Sequence, residues 1–413
     1  VGYIKTGVMK DGTILAQDIR MYTNTGAYAS SAMNVAGAMS HKVYKVYQTP
    51  NMRVKIIPTY TNLPIAGAMR GYGSPQIFNV QQVQMAVIAR ELGIDLVELQ
   101  LKNAVAPDGV DQRFKQPIGN PRLQDIIRRG AEMFDWPEKK KEIPVEPGWK
   151  RGIGMAIGAH GNGVYGAHRD VTTLSLKINE DGTLVLYTGA HDMGNGSVSL
   201  QAQMVASVLD VPVEDVGCIE ADTDLVPWNL GDYASRGVFI EGACAKKVAE
   251  SMKAKIAEKA ATFFEVEPDK IEFENRSVFV VDQPDKRMSL GELVVKVQGT
   301  TMEEIIATET YPSKGGPTSY GVHFAEVLVN AEKGIVKVVD YAAVHDVGQV
   351  INRAGIEGQL EGGIQMGIGY ALTETMLFND KGKLMNSNLK KYRSPKASDM
   401  PKMKIDFVEA GEP

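Results

Sequence analysis

The chain has 413 residues, 44% of them hydrophobic and 23% charged, the composition of a globular protein too long for one ordinary core, so two domains are expected. A formal net charge of -5 without any basic stripe argues against a nucleic-acid binder. No apolar run approaches the roughly 18 residues that span a bilayer and no signal-peptide pattern opens the chain, so a cytoplasmic protein is expected.

In chain order, Val1 is no initiator Met and GYIKTGVM begins at once as a strand, the pattern of a piece cut from a longer polypeptide. Asp11-Gly12 closes a first hairpin, since Gly supplies the positive φ that tight turns need. A helix is expected from Ser74-Pro75 to about Gly93, with Ser as N-cap and Pro at the first helical position. A second helix covers residues 122–134. The Lys- and Pro-rich stretch KKKEIPVEPGWKRG (139–152) reads as a linker dividing the chain into 1–145 and 146–413. In the second part, TLSLKIN-ED-GTLVLYT is a hairpin around Asp181-Gly182, followed by helices over 198–209 and 242–264. Lys333-Gly334 closes another hairpin, 355–374 forms a helix, and Lys381-Gly382 closes a last hairpin. Hairpins mixed with helices, without regular strand–helix alternation, indicate an α+β fold rather than a doubly wound sheet.

Cysteine usage narrows the chemistry. Cys218 and Cys244 are the only two, with no CxxC pair, so neither a disulfide framework nor a tetrahedral thiolate site is available. A 2Fe–2S cluster needs about four thiolates, more than this chain has. The six histidines are scattered singly and form no HExxH pattern. A metal working here must be held by something other than protein side chains.

Small-residue loops stand ahead of helices at four places: 67–74, 189–197, 231–237 and 345–359. Helix N-termini offer unpaired N–H donors and partial positive charge, and glycines let the backbone come close, so the four could converge on one polyanionic ligand. None has GxGxxG or GxxxxGK[ST] in the required context, which removes dinucleotide and ATP sites of those kinds. Taken singly, each loop is also an ordinary structural feature.

The strings themselves name a ligand. AMRGYGSPQ (68–76), GAHDMGNGS (189–197), YASRG (233–237) and HDVGQVIN…EGQLEGG (345–363), flanked by KDGTI…NTGAYAS (10–30) and NSNLKKYRSPKASDMPKMKIDFVE (386–409), resemble in order the molybdopterin-contacting segments of the xanthine dehydrogenase and aldehyde oxidoreductase family of molybdenum hydroxylases, its bacterial molybdenum subunit above all. The resemblance covers essentially the whole chain. It implies two tandem molybdopterin-binding domains built of hairpins and packed helices, the first incomplete and the second lacking its C-terminal end. It further implies molybdenum on the pterin dithiolene of a molybdopterin, in the cytosine dinucleotide form, with FAD and 2Fe–2S clusters on partner subunits and the assembly a dimer of heteromers. The implied reaction is hydroxylation, with water as oxygen source, of a C–H carbon in a purine or other N-heteroaromatic ring. An aldehyde or nicotinate-type substrate, or a non-catalytic scaffold whose catalytic Glu sits in a partner chain, is the alternative.

Carried over by motif, Ala68 and Met69 contact the cofactor through their backbone and Arg70 lies beside it. Gly194, Asn195 and Gly196, then Ala234, Ser235 and Arg236, approach the pterin and its phosphate, Gln359 reaches near the molybdenum, and Tyr72 lines the substrate pocket. Each has a plain reading beside it: Arg70 as a surface ion-pair partner, Arg236 paired with Glu241, Tyr72 in the core, Gln359 as a satisfied buried amide. His345-Asp346 and His191-Asp192 look like catalytic pairs, but the resemblance makes them structural. Three positions depart from the family: Asn195 stands where Gln is frequent, Ala38 where an arginine helps bind purine, and Met155 where an aromatic clamps the substrate, which puts a purine in question. Gly411-Glu412-Pro413 spells the motif around the family's general base, yet IDFVEA before it matches the strand that precedes that motif. The base is therefore expected beyond Pro413, not at Glu412.

Overall fold

The computed structural model describes residues 1–113, 115–164 and 169–409. Contacts divide the chain into two compact units, Val1–His160 with Pro317–Pro413, and Gly161–Gly316. These units do not follow the 1–145 and 146–413 division read from composition. The stretch 139–152 is tied into the first unit: Lys139 binds Asp340 at 2.7 Å, and Arg151 donates to the Lys139 carbonyl at 2.8 Å.

The first unit mixes helices with two larger sheets. β1 (Gly2–Val8) pairs antiparallel with β2 (Ile14–Gly26) across the Asp11-Gly12 turn, and β3 (Asn51–Tyr60) runs parallel to β2. Between β2 and β3 lies α1 (Ala32–Lys42), followed after β3 by α2 (Ser74–Leu92) and α3 (Leu96–Asn103). The short pair β4 (Val110–Asp111) and β5 (Gln116–Pro117) leads to α4 (Leu123–Phe134) and a single turn α5 (Trp136–Lys139). β6 (Lys150–Gly161) joins a four-stranded sheet with three later strands, β14 (Thr318–Asn330), β15 (Ile335–Asp346) and β16 (Met403–Phe407), in the order β16-β15-β14-β6. This pairing places 150–160 and 317–409 in one unit.

α2 shows why these segments are helical. Ile77, Phe78, Gln81, Gln82, Met85, Ile88 and Ala89 are buried at helical spacing, a stripe that packs on the core. The Gln82 amide is satisfied on both sides: Gln100 donates to its side-chain oxygen at 2.9 Å, and its nitrogen donates to the Tyr47 hydroxyl at 2.8 Å, as interior polar groups require. The expected N-cap is displaced by one residue. Gly73 occupies it, and the Ser74 hydroxyl instead donates to the Ala159 carbonyl at 3.0 Å.

In the second unit, β7 (Val171–Ile178) and β8 (Leu184–Thr188) form the Asp181-Gly182 hairpin, extended to a sheet of order β13-β7-β8-β9 by β9 (Val216–Glu220) and β13 (Ile306–Pro312). α6 (Ser197–Leu209) and α7 (Ala243–Phe264) pack on it, and a second sheet of β10 (Ile271–Glu274), β11 (Ser277–Val280) and β12 (Gln283–Ser289) precedes α8 (Leu290–Thr301). α8 opens with the reciprocal capping box of Ser289 and Glu292. Val205, Leu209, Val248, Met252, Ile256, Leu293 and Val297 meet the apolar face of the first sheet in one core. The mixture of helices and mostly antiparallel sheets is the expected α+β class. The hairpins at Asp11-Gly12, Asp181-Gly182 and Lys333-Gly334 are present, whereas Lys381-Gly382 closes a turn with only the single bridge Phe378–Leu384.

Candidate functional site

The loop 67–74 leads into α2 and exposes Ala68, Met69 and Arg70. Gly71, Tyr72 and Gly73 follow at φ 93°, 41° and 93°, three left-handed residues in succession. Only glycine fits at Gly73, where a Cβ would stand 2.6 Å from the Met39 side chain and 3.0 Å from the Val35 carbonyl. Tyr72 is half-buried, and its backbone bonds the Met69 carbonyl at 2.8 Å. The turn sends the Arg70 guanidinium to Gln359: Nη2 donates to the Gln359 carbonyl at 2.7 Å and to its side-chain oxygen at 3.2 Å.

Gln359 sits further inside its helix than the sequence indicated. α9 (Arg353–Leu372) starts two residues ahead of the expected 355, capped by the Asn352 side chain on the Gly355 amide at 2.9 Å, so Gln359 falls in its second turn. The small face of α9 lets the guanidinium lie close: a Cβ at Gly363 would be 3.6 Å from Arg70 Nη2. Two sequence-predicted residues 289 positions apart thus meet, and the Arg70 residue is exposed.

In the second unit, the loop 189–197 is organised by Asp192. Its Oδ1 accepts the amides of Gly194, Asn195 and Gly196 at 2.7, 3.1 and 3.1 Å. These amides hold the carboxyl below its usual range, Gly194 first. This loop meets the 231–237 loop where Asp232 Oδ2 accepts the His191 amide at 2.6 Å and stands 3.2 Å from His191 Nδ1. His191 and Asp192 are therefore loop-forming residues, as the resemblance indicated. Ala234 and Ser235 are left-handed, at φ 58° and 54°.

The Arg236 side chain is engaged within the protein. It is fully buried. Nε donates to Asp170 at 2.9 Å, Nη1 to Asn229 at 2.9 Å and to Glu241 at 2.6 Å, and Nη2 to the Val171 carbonyl at 3.1 Å. Burial pushes the Glu241 carboxyl up to about 7, against the pull of Asn229 and Arg236. The guanidinium is spent on protein partners, and only the Arg236 backbone is left to reach a ligand. The pairing with Glu241 weighed from sequence is the one made. A one-turn π-helix, Gly237–Gly242, then joins this loop to α7.

His345 and Asp346 are also structural. Asp346 accepts the Arg122 amide at 2.9 Å and the Gly348 amide at 3.3 Å. His345 Nε2 lies 2.9 Å from His323 Nε2, whose other nitrogen meets the Tyr341 hydroxyl at 2.9 Å. Burial pushes His323 down to about 4 and His345 to about 3, so both are neutral. Met155 is buried in the core and Ala38 half-buried on α1. Glu412 lies outside the described residues. The sequence reading missed Lys42, whose one signal was a lysine two positions past the uncharged stretch 27–40, and Asp170, which stands 66 positions from Arg236.

The Arg70 guanidinium beside a glycine-faced helix suits an anionic group, while in the second unit the 194–196 amides are engaged by the Asp192 carboxylate. Among the described residues, no cluster of His, Cys, Asp and Glu side chains could ligate a metal directly, and no helix is long and apolar enough to cross a membrane.

Comparison with known proteins agrees. Two family models, each described as a molybdopterin cofactor-binding domain, match residues 1–104 and 129–401. The chain is similar, at 32% identity over 98% of its length, to the putative xanthine dehydrogenase molybdenum-binding subunit of Escherichia coli (strain K12), of which it covers 55%. It is 27% identical to the probable hypoxanthine oxidase of the same organism, over 97% of this chain and 42% of that one. The structure of quinoline 2-oxidoreductase from Pseudomonas putida 86 superposes with a TM-score of 0.87 at 25% identity, covering all of this chain and 55% of that one. The chain spans about half the length of the curated relatives it matches. From the ordered loops, the fold and the two family models together, the chain belongs to the xanthine dehydrogenase and aldehyde oxidoreductase family of molybdenum hydroxylases, as a molybdopterin-binding part.

Proposed function

We propose that this chain binds the molybdenum cofactor in an enzyme that hydroxylates a C–H carbon of an N-heteroaromatic substrate, taking oxygen from water. The observation that carries this reading is the meeting of Arg70 with Gln359, which presents a guanidinium and an amide on a glycine-faced helix. Molybdenum on its molybdopterin, in the cytosine dinucleotide form, supplies an activated oxygen nucleophile when bound.

The chain's own residues bind and orient. Arg70 places positive charge beside the anionic group, and a planar guanidinium does so with directed donors. Ala68, Met69, Gly194, Asn195, Gly196, Ala234 and Ser235 contribute backbone contacts, as does Arg236 with its side chain engaged elsewhere. Gln359 donates its amide near the metal, and Tyr72 walls the substrate side. The proton-accepting glutamate lies beyond Pro413. Electrons leave to 2Fe–2S clusters and FAD on partner subunits of a cytoplasmic dimer of heteromers. Ala38 and Met155 favour a substrate other than purine, because neither side chain clamps a purine ring by charge or stacking.

The test is metal and nucleotide analysis of the complete complex, then turnover in isotopically labelled water with purine, quinoline, nicotinate and aldehyde substrates. Molybdenum, a released cytosine nucleotide and labelled product are expected. A folded complex without molybdenum or pterin overturns the reading. Cofactor without turnover, restored by a partner chain carrying the glutamate, supports the scaffold alternative instead.

A further inference from the structure

One half-buried cation has no role in the site so far described. Lys42 ends α1 with its ammonium turned inward, where Nζ donates to the carbonyls of Gly71 and Tyr72 at 2.8 and 2.9 Å. No carboxylate pairs with it among the described residues. Burial pushes its pKa down to about 8. The neighbouring His160 adds no second positive charge: burial and then the Lys42 charge hold it neutral, down to about 4. Even partial burial of an ammonium without a carboxylate is costly, and it persists where the surrounding structure demands it.

What demands it here is the turn. Gly71 and Tyr72 are both left-handed, a conformation that costs a non-glycine residue on the order of 1 kcal/mol or more. Both carbonyls of this left-handed pair, strained at Tyr72, face one ammonium. The same turn is closed by Tyr72 N on Met69 O at 2.8 Å and Ser74 N on Gly71 O at 2.9 Å, so Arg70 is carried on it directly. Opposite Lys42, Ser74 is held by the Ala159 carbonyl at 3.0 Å. The clamp therefore has two sides, one from α1 and one from β6.

We propose that Lys42 is a positioning residue for the cofactor loop: its ammonium clamps the Gly71 and Tyr72 carbonyls, fixes the strained turn that aims Arg70 at Gln359, and adds uncompensated positive charge on the side where an anionic ligand binds. The clamp stands on the chain's own geometry. Only its consequence for the cofactor rests on the function proposed above.

The experiment uses the complete complex with Lys42→Met, which keeps the length and removes the charge, and Lys42→Arg, which keeps donors. Hydrogen exchange is read by segment, and molybdenum content is measured alongside. For Lys42→Met, exchange of segment 68–77 rises at least tenfold while the rest of the first unit stays within about twofold, and molybdenum content falls at least fivefold. Lys42→Arg recovers both at least in part. Unchanged exchange at 68–77, or a rise spread evenly over the first unit, overturns the positioning role. Should Lys42→Met not fold, Lys42→Gln carries the same measurement. A wild-type complex without molybdenum defeats the proposed function, while the exchange result still decides the clamp.

Discussion

Arg70 and Arg236 occupy the same phrase of sequence, an arginine before a glycine in a loop that leads to a helix, and they end in opposite surroundings. Arg70 lies exposed on α9 with one nitrogen bonded to Gln359. Arg236 is sealed between Asp170, Asn229 and Glu241 with no exposed side-chain surface. The difference is set by which acids reach each arginine, here Asp170 from 66 positions away and Glu241 from five. A buried guanidinium needs counter-charge and acceptors for its donors, and the second unit supplies both. Among the described residues the first unit brings to Arg70 only the Gln359 carbonyl and side-chain oxygen, neither of them a counter-charge. One arginine builds its loop, and the other is available from it.

Substitutions can break this contrast, and the largest effect is expected at Arg236. Arg236→Met strands Asp170 and Glu241 in the interior and is expected to cost about 3–5 kcal/mol, read by urea unfolding. Adding Asp170→Asn and Glu241→Gln should recover part of the loss. A loss below about 1 kcal/mol for the single change would remove the buried cluster as a structural element.

Acid sharpens the contrast between the units. His160, His323 and His345, all in the first unit, are held by burial well below the ordinary histidine value. The unfolded chain therefore binds more protons between about pH 6.5 and 4. Their stabilisation is full above that range and is lost as pH falls through it. For the buried His323, pushed from 6.5 to about 4, the loss approaches roughly 3 kcal/mol at 1.36 kcal/mol per unit. Segment-resolved hydrogen exchange at pH 7 and pH 5 should show the first unit opening first, and His323→Gln should flatten its pH dependence. Equal opening of both units would contradict this.

A smaller effect is expected at Asp192. Asp192→Ala frees the amides of Gly194, Asn195 and Gly196 and should lower stability by on the order of 1 kcal/mol, as loss of a helix-end cap does. A thermal melt unchanged within error would show the loop to be held otherwise. The smallest effect on folding is expected at Arg70, where Arg70→Ala should change stability by no more than about 0.5 kcal/mol, the usual range for exposed positions. Molybdenum content of the complex should nevertheless fall, and a normal content would take Arg70 out of the site.

Local signals are legible in the amino-acid sequence itself. Asp11-Gly12, Asp181-Gly182 and Lys333-Gly334 close the hairpins expected of them, because a tight turn is decided by two residues and the strands beside them. The long amphipathic stretches form α2, α4, α6 and α7 for a similar reason, since helical periodicity lies within one segment. The ordered strings from AMRGYGSPQ to EGQLEGG carry the family. α8 escaped the sequence reading although Ser289 and Glu292 spell its capping box. α1 gives less to see, for its small residues bury little and its N-cap Ser31 makes no side-chain bond.

Partnership was decided only by the tertiary structure. That Arg70 reaches Gln359 across 289 positions, that Asp170 closes on Arg236 across 66, and that β6 pairs with β14 to draw residues 150–160 into the first unit all depend on chain-distant contacts. A charged side chain carries the same charge wherever it stands in a sequence. Whether that charge is neutralised in a core, held against two carbonyls as at Lys42, or left over for a ligand is set by which distant groups the fold brings within about 3 Å of it.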